Sequence, residues 1–383
     1  MAVEIIRGHC LTELAKLPDA SVQCCVTSPP YWALRDYKTP PVVWPALKYR
    51  PMAALPEIRV KKWKGELGLE PDPFAFVGHI VAVFREVRRV LKEDGTCWVN
   101  FGDCSATGAG KGNNGRQHLG GRSEFVKGPH PDAAPNRMPM EGLGPKNLMG
   151  MPWRVAFALQ ADGWTLRSDI IWHKPNPTPE SAGDRPTKAH EYIFLFSKSR
   201  YYYYDAEAIM ENVTGNAHSR GKGTNPKAQG REAPTAWDTG PGNHDDKKVR
   251  YRPTCGPNSR IHKDRDPAHD RDSAIDAKQN RSFSAAVSGL VERRNKRSVW
   301  TVTTYGYRGA HFATFPPDLI RPCIRAGSKE GDTIIDPFGG SGTTGAVATE
   351  YNRNAILIEL APDHIPLCRQ RVGSETPSFP GLG

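Results

Sequence analysis

Residues 336–345, Asp-Pro-Phe-Gly-Gly-Ser-Gly-Thr-Thr-Gly, constrain the fold more than any other stretch of this 383-residue chain. They follow a short apolar run at 333–335 and precede a helical pattern at about 343–349. A second β-type run at 355–360 then completes a βαβ unit. Gly339, Gly340 and Gly342 permit positive φ and let the backbone approach a ligand closely. Asp336 and Glu359 close the two strands, where open α/β sheets place groups that bind ligands. The dinucleotide pattern G-x-G-x-x-G matches Gly340, Gly342 and Gly345, yet a glycine turn without any ligand would read the same way. No lysine follows the glycines, which argues against a triphosphate loop. The fold class is therefore α/β, with a mostly parallel sheet and helices on both faces.

The rest of the chain fits that sheet. Strands are predicted at 3–7, 21–27, 96–101, 165–173 and 190–197, and helices at 11–17, 76–91 and 153–160, with Glu93-Asp94-Gly95 ending the longest. Glycine and proline, 37 and 34 residues, make up nearly a fifth of the chain, so part of it is loop. Residues 37–64 are proline-rich and aperiodic and read as a loop over the sheet edge, and residues 105–146 read as a lid or insertion. The formal charge of +11 is unevenly spread. Residues 213–298 hold 18 Lys and Arg against 10 Asp and Glu, with only seven Val, Ile or Leu in 86 residues. So few aliphatic residues cannot bury a core, so the segment is expected to order on an anionic partner or to remain a solvated linker. These shifts divide the chain into a part at 1–205, a basic insertion at 206–298 and a C-terminal part at 299–383. Eight cysteines show no C-x-x-C pair and no zinc spacing, so reduced structural thiols are expected and no metal site. Apolar runs fall short of the roughly 18 residues that span a bilayer, and the alternating start does not read as a signal peptide. A cytoplasmic protein with no membrane partner is expected.

A second constellation, Thr27-Ser-Pro-Pro-Tyr-Trp32, ends a predicted strand. Pro29 and Pro30 lack N–H donors, so nearby carbonyls are free to accept bonds in fixed directions. Ser28 adds a hydroxyl, and Tyr31 and Trp32 add rings on which a planar base can stack. Acceptors beneath an aromatic plate suit an exocyclic amine. A strand that merely ends in a rigid turn is the plain alternative.

Taken together, the two motifs resemble the S-adenosylmethionine-dependent DNA amino-methyltransferases that modify exocyclic nitrogens of bases. Ser28-Pro-Pro-Tyr31 is similar to their catalytic motif in its serine form, and Asp336-Pro-Phe-Gly-Gly-Ser-Gly342 to their cofactor loop. Because the catalytic motif comes first, the order resembles the permuted beta group. Trp172-His-Lys-Pro-Asn-Pro177, with Glu180-Ser181, Arg185, His190-Glu191 and Lys198, resembles the strand and loop behind the target-base pocket. His311-Phe-Ala-Thr-Phe-Pro316 resembles the segment at the methionine end of the cofactor. The likeness covers residues 1–36, 66–103, 147–205 and 299–372.

The resemblance implies a Rossmann-like methyltransferase fold, S-adenosyl-L-methionine as cofactor and double-stranded DNA as substrate. It admits a restriction endonuclease partner. Ser28, Pro29, Pro30 and Tyr31 would be catalytic. Asp336, Pro337, Phe338, Gly339, Gly340, Ser341, Gly342, Thr343, Glu359 and Thr314 would bind the cofactor, and Trp32, Lys174 and Asn176 the substrate. Residues 213–298 fall where the family inserts its target recognition region, with Trp237, Tyr251 and Phe283 as candidates to stack or wedge. One departure stands out: the family's first strand often ends Gly-Asp beside the cofactor adenine, whereas this chain reads Gly8-His9-Cys10.

The implied reaction flips the base out of the duplex and transfers methyl directly to the amine, without a cysteine nucleophile. Cys24 and Cys25 should face opposite sides of the sheet, and His190 and Glu191 point apart rather than forming an acid–base pair. The serine form is linked chiefly to cytosine N4, with adenine N6 the rival. A non-catalytic DNA-binding protein and a nicotinamide dehydrogenase remain as alternatives of other classes.

Overall fold

The computed structural model describes residues 1–106, 143–180, 182–212, 293–304 and 315–373. Chain contacts divide it into two units, Met1–Ile209 with Lys296–Gly383, and Met210–Asn295. In the second unit the described residues are one short antiparallel pair, held by an Arg294–Glu211 ion pair of 2.8 Å. The predictions for 107–142 and 213–292, including those for Trp237, Tyr251 and Phe283, lie outside the described residues, as does Thr314.

The chain opens with β1 (Val3–Arg7), α1 (Cys10–Leu14) and β2 (Val22–Thr27). Residues 37–64, expected as a loop, instead form an interrupted hairpin: β3 (Val42–Trp44) pairs with β6 (Trp63–Gly65), and β4 (Leu47–Tyr49) with β5 (Ile58–Val60), both antiparallel. Its strands are three residues long, yet they bury Trp44, Tyr49 and Val60. The Tyr49 hydroxyl donates to the Phe74 carbonyl at 2.9 Å. This anchors the hairpin to α2 (Pro73–Val90), where a Cβ on Gly78 would sit 2.7 Å from Val60.

Helix α2 begins where the Asp72 carboxylate accepts from the Phe74 N–H at 2.9 Å and Pro73 occupies the first turn. It buries Phe76, Ile80, Phe84 and Val87 along one stripe and passes directly into β7 (Leu91–Phe101). Glu93-Asp94-Gly95, expected to separate helix from strand, lies inside β7. There the pairing with β2 jumps from Val22↔Leu91 to Cys24↔Thr96, so the polar residues are accommodated as a bulge. Then follow α3 (Met151–Ala161), β8 (Thr165–His173), β9 (His190–Ser197), β10 (Glu211–Asn212), β11 (Arg293–Arg294) and β12 (Val299–Thr301). The C-terminal elements are α4 (Pro317–Gly327), β13 (Thr333–Asp336), α5 (Thr343–Glu350), β14 (Asn354–Glu359) and α6 (His364–Gly373).

Among the described residues, eight strands form one sheet in the order β1-β14-β13-β2-β7-β9-β8-β12, in which β9 runs antiparallel to both neighbours and the other pairings are parallel. Each face is covered. One core holds the apolar faces of α1, α2 and α3 with Cys25, and the other those of α4 and α5 with Cys24. The adjacent cysteines therefore do face opposite sides. From β13 the chain moves to β14 on one side, whereas β2, on the other side, leads away to β7. The carboxyl ends of β13 and β2 thus flank a topological switch point, the place where such sheets bind ligands.

Candidate active site

The ends of β1, β2, β13 and β14 and the hairpin enclose the cavity at that switch point. Ser28 and Pro30 from the end of β2 line it, together with Asp336, Pro337, Phe338, Gly339, Gly340, Ser341 and Thr343 from the loop after β13 and Glu359 from the end of β14. The structure therefore brings the two sequence constellations, some 300 residues apart, to one space. Gly342 does not line it. This residue starts α5 at φ 81° and packs on Cys368, where a Cβ would lie 3.0 Å from the neighbouring backbone.

Asp336 serves the loop's architecture. Its carboxylate accepts from the Thr27 hydroxyl at 2.6 Å, the Thr344 hydroxyl at 2.7 Å and the Phe338 N–H at 3.0 Å, linking β2, the glycine loop and α5. Burial nevertheless pushes its pKa up to about 6, the hydrogen bonds offsetting only part of the desolvation. A carboxyl whose folded pKa lies above its unfolded value loses stability as pH rises through that interval. Between about pH 4 and pH 7 the parent should lose about 2–3 kcal/mol of unfolding free energy that an Asp336→Asn protein retains. Urea titrations of both proteins at the two pH values measure this, and parallel pH profiles would contradict it.

Glu359 is held as firmly and stays on the cavity wall. One oxygen accepts from the Gly340 N–H at 2.7 Å, and the other from the Ala361 N–H at 2.7 Å with His364 Nδ1 at 3.3 Å. Sequence reasoning missed a third carboxylate, Glu66, which lines the same cavity and accepts from the N–H groups of Tyr37 and Thr39 at 2.7 and 2.8 Å. Burial raises the Glu66 pKa. The hairpin also brings Val42 and Trp44 to the wall, and Phe315 joins them from the predicted 311–316 segment. His9, standing where an acid was anticipated, lines the cavity as well. Its ring packs edge-on against Trp44 at 4.7 Å, its Nε2 is buried without a partner, and burial with the nearby His79 lowers its pKa.

Behind Ser28 lies a polar network. The Tyr31 hydroxyl is 2.9 Å from Asn100 Oδ1 and 2.8 Å from Glu191 Oε2, and Ser28 Oγ is 3.3 Å from Tyr31 Oη and 3.4 Å from Asn100 Oδ1. Burial, then the Glu191 carboxylate, holds the Tyr31 phenol well above its usual pKa. Glu191 also pairs with Lys174, whose ammonium lies 4.2 Å over the Trp172 ring.

Three expected contacts are placed differently. Trp32, expected as a stacking plate, is 3% exposed and donates its indole N–H to the Glu70 carbonyl at 2.9 Å, so its ring belongs to the core and offers no face to a base. Lys174 is committed to Glu191 and Trp172. The Asn176 amide is joined to Thr304, donating to its carbonyl at 2.9 Å and accepting from its N–H at 3.0 Å, which fastens the 174–177 loop to the segment after β12.

Residues 22–370 match the N6/N4 methyltransferase family model, described as DNA methylase. The chain belongs to this DNA methylase family. M.XycI, a type II methyltransferase from Xanthomonas campestris pv. cyanopsidis, is 37% identical over 370 residues, covering 96% of this chain and 87% of that protein. M.SmaI from Serratia marcescens, also a type II methyltransferase, is 34% identical over 369 residues, with 96% and 90% covered. Among solved structures, the PvuII DNA methyltransferase described as cytosine-N4-specific matches with a TM-score of 0.52 at 16% identity, covering 97% of this chain and 86% of that one. A putative DNA modification methylase from Thermus thermophilus, complexed with S-adenosyl-L-methionine, matches at 0.50 and 20% identity, with 99% and 96% covered. The chain thus has a Rossmann-like methyltransferase fold. No helix among the described residues is long and apolar enough to cross a membrane.

Proposed function

We propose that this DNA methylase transfers the methyl group of S-adenosyl-L-methionine to the N4 amine of a cytosine flipped out of duplex DNA. The observation that carries the reading is the shared cavity: Ser28 and Pro30 open onto the same space as the glycine loop and Glu359. Its lining chemistry fits that cofactor. Three carboxylates and, among the described residues, no lysine or arginine line it. Such a wall suits a ligand bearing a sulfonium and an ammonium, and disfavours the phosphates of a nicotinamide dinucleotide. Glu359 would take ribose hydroxyls, the loop from Pro337 to Ser341 the methionine end, and Trp44, Val42 and Ile358 the flat adenine. When bound, the cofactor supplies a methyl group on a positively charged sulfur, which keeps the bonding pair as the amine nitrogen takes the methyl.

The chain's own work is orientation. Ser28 Oγ and the Pro29 carbonyl accept hydrogen bonds from the amine, favouring the pyramidal nitrogen whose lone pair can attack, and the methylated nitrogen then releases one proton to water. The Tyr31 ring supports the flipped base, and the basic segment at 213–298 meets phosphates and selects the site. A serine ahead of Pro-Pro-Tyr, rather than a carboxylate, favours cytosine over adenine.

Digestion of DNA methylated by the purified protein, with nucleosides identified by mass, tests the reading. N4-methylcytosine is expected. N6-methyladenine as the sole product would overturn the base assignment, and no methylated nucleoside would overturn the activity. Deleting most of 213–292 should weaken DNA binding and flatten its salt dependence while cofactor binding persists. An unchanged salt slope in the deletion variant would leave that segment a linker.

A further inference from the structure

We infer that Glu191, acting through the Tyr31 hydroxyl, fixes Ser28 as a hydrogen-bond acceptor toward the methylated amine, which makes Glu191 a positioning residue of this site. The inference rests on the proposed methyl transfer and follows from counting protons in the network behind Ser28. Asn100 donates its amide N–H to the Tyr192 carbonyl at 3.0 Å, so its Oδ1 faces Ser28 and Tyr31 as an acceptor. The Glu191 carboxylate is also acceptor-only. Two acceptors therefore meet two hydroxyls, and each hydroxyl carries one proton. Tyr31 gives its proton to Glu191 or Asn100, at 2.8 and 2.9 Å, and its oxygen is then free to accept from Ser28. Tyr31 Oη is the nearer of the two acceptors to Ser28 Oγ, at 3.3 Å against 3.4 Å for Asn100 Oδ1, so a Tyr31 oxygen left free to accept draws the Ser28 proton inward. Of the four residues, Ser28 is the one on the cavity wall. What it shows the cavity is lone pairs.

That polarity is a selection rule. An exocyclic amine brings N–H donors to Ser28, whereas a base with a carbonyl at the same position sets oxygen against oxygen. A serine hydroxyl alone would not discriminate, since it can donate or accept. The charge on Glu191 supplies the missing direction, and Lys174 holds its second oxygen so that the first stays on Tyr31. In the sequence Glu191 belongs to the segment that resembles the strand and loop behind the target-base pocket and points away from His190, with no role of its own.

Two near-isosteric substitutions separate this role from packing. In Glu191→Gln, Lys174 retains the amide oxygen, which turns the NH₂ toward Tyr31; the Tyr31 oxygen then accepts from the amide rather than from Ser28, and its proton turns to Asn100 Oδ1, the other acceptor open to Ser28. Tyr31→Phe keeps the ring for stacking and removes the hydroxyl. Each is expected to lower the single-turnover rate of methyl incorporation into unmethylated plasmid DNA by about ten- to a hundredfold. Affinity for S-adenosylmethionine, by calorimetry, should stay within about twofold, and the double variant should be no slower than the worse single one. Losses that multiply, a rate within about twofold of the parent in either single variant, or donor affinity falling in step with rate would each overturn the inference while the parent remains active. Should Glu191→Gln fail to fold by its thermal transition, Tyr31→Phe decides alone. A parent protein that transfers no methyl group removes the proposed function and this inference together.

Discussion

A Ser28→Ala protein is expected to bind S-adenosylmethionine as the parent does and to transfer methyl about a hundredfold more slowly, the usual cost of removing one preorganised polar partner of a transition state. The hydroxyl contributes little to the fold. Its contacts to Tyr31 and Asn100 are long, at 3.3 and 3.4 Å, and removing one Oγ leaves Tyr31 its donor bond to Glu191 or Asn100. The loss should therefore fall on kcat, because a bond that strengthens as the amine pyramidalises stabilises the transition state more than the ground state. Single-turnover methylation together with calorimetric donor affinity measures both. A variant with full kcat would remove Ser28 from the chemistry, and one whose donor affinity collapses would make it part of the cofactor wall.

The parts of this site that were legible in the sequence share one property: their signal is local. The strand, glycine loop, helix and strand at 333–360 carry the switch from period two to period 3.6 within about thirty residues, and the structure places β13, α5 and β14 within a residue or two of the expected bounds. Thr27 to Tyr31 could likewise be read because two prolines after an apolar run can only end a strand. Which two strand ends meet is a matter of sheet order, and no local pattern encodes that β13 lies between β14 and β2.

What stayed hidden depends on contacts distant in sequence. The hairpin at 42–65 uses three-residue strands, too short to show alternation against a background of prolines, and it carries Trp44 to the cavity. Glu66 sits among small and apolar residues, and its carboxylate acquires meaning only where Tyr37 and Thr39 turn their N–H groups onto it. Trp32 misled for the opposite reason. Beside Tyr31 in a motif of aromatic residues it reads as a stacking plate, but adjacent side chains point apart and the larger ring went to the core. The bulge in β7 hides similarly, since Glu93-Asp94-Gly95 is good helix-ending chemistry whose actual use is to accommodate a slip in pairing.

Gly340→Val is expected to lower affinity for S-adenosylmethionine by about a hundredfold or more, equivalent to roughly 3 kcal/mol. Gly340 lines the cavity at φ 51°, in the left-handed region where a β-branched residue is strained. Strain of about 1–3 kcal/mol would be relieved only by moving the loop. Movement breaks the 2.7 Å bond from the Gly340 N–H to Glu359 and the 2.9 Å contact from the Cys368 thiol to the Gly340 carbonyl. Glu359 then loses the partner that holds one of its oxygens on the cavity wall. The substitution therefore acts on the ligand twice, through the loop that cradles it and through the carboxylate that receives its hydroxyls. It also lowers the stability of the free protein. Calorimetry on the folded variant beside its thermal unfolding midpoint separates the two effects. Gly340→Ala, without the β-branch, should fall between the parent and Gly340→Val in both measurements. An unchanged donor affinity in a folded Gly340→Val protein would place the cofactor elsewhere.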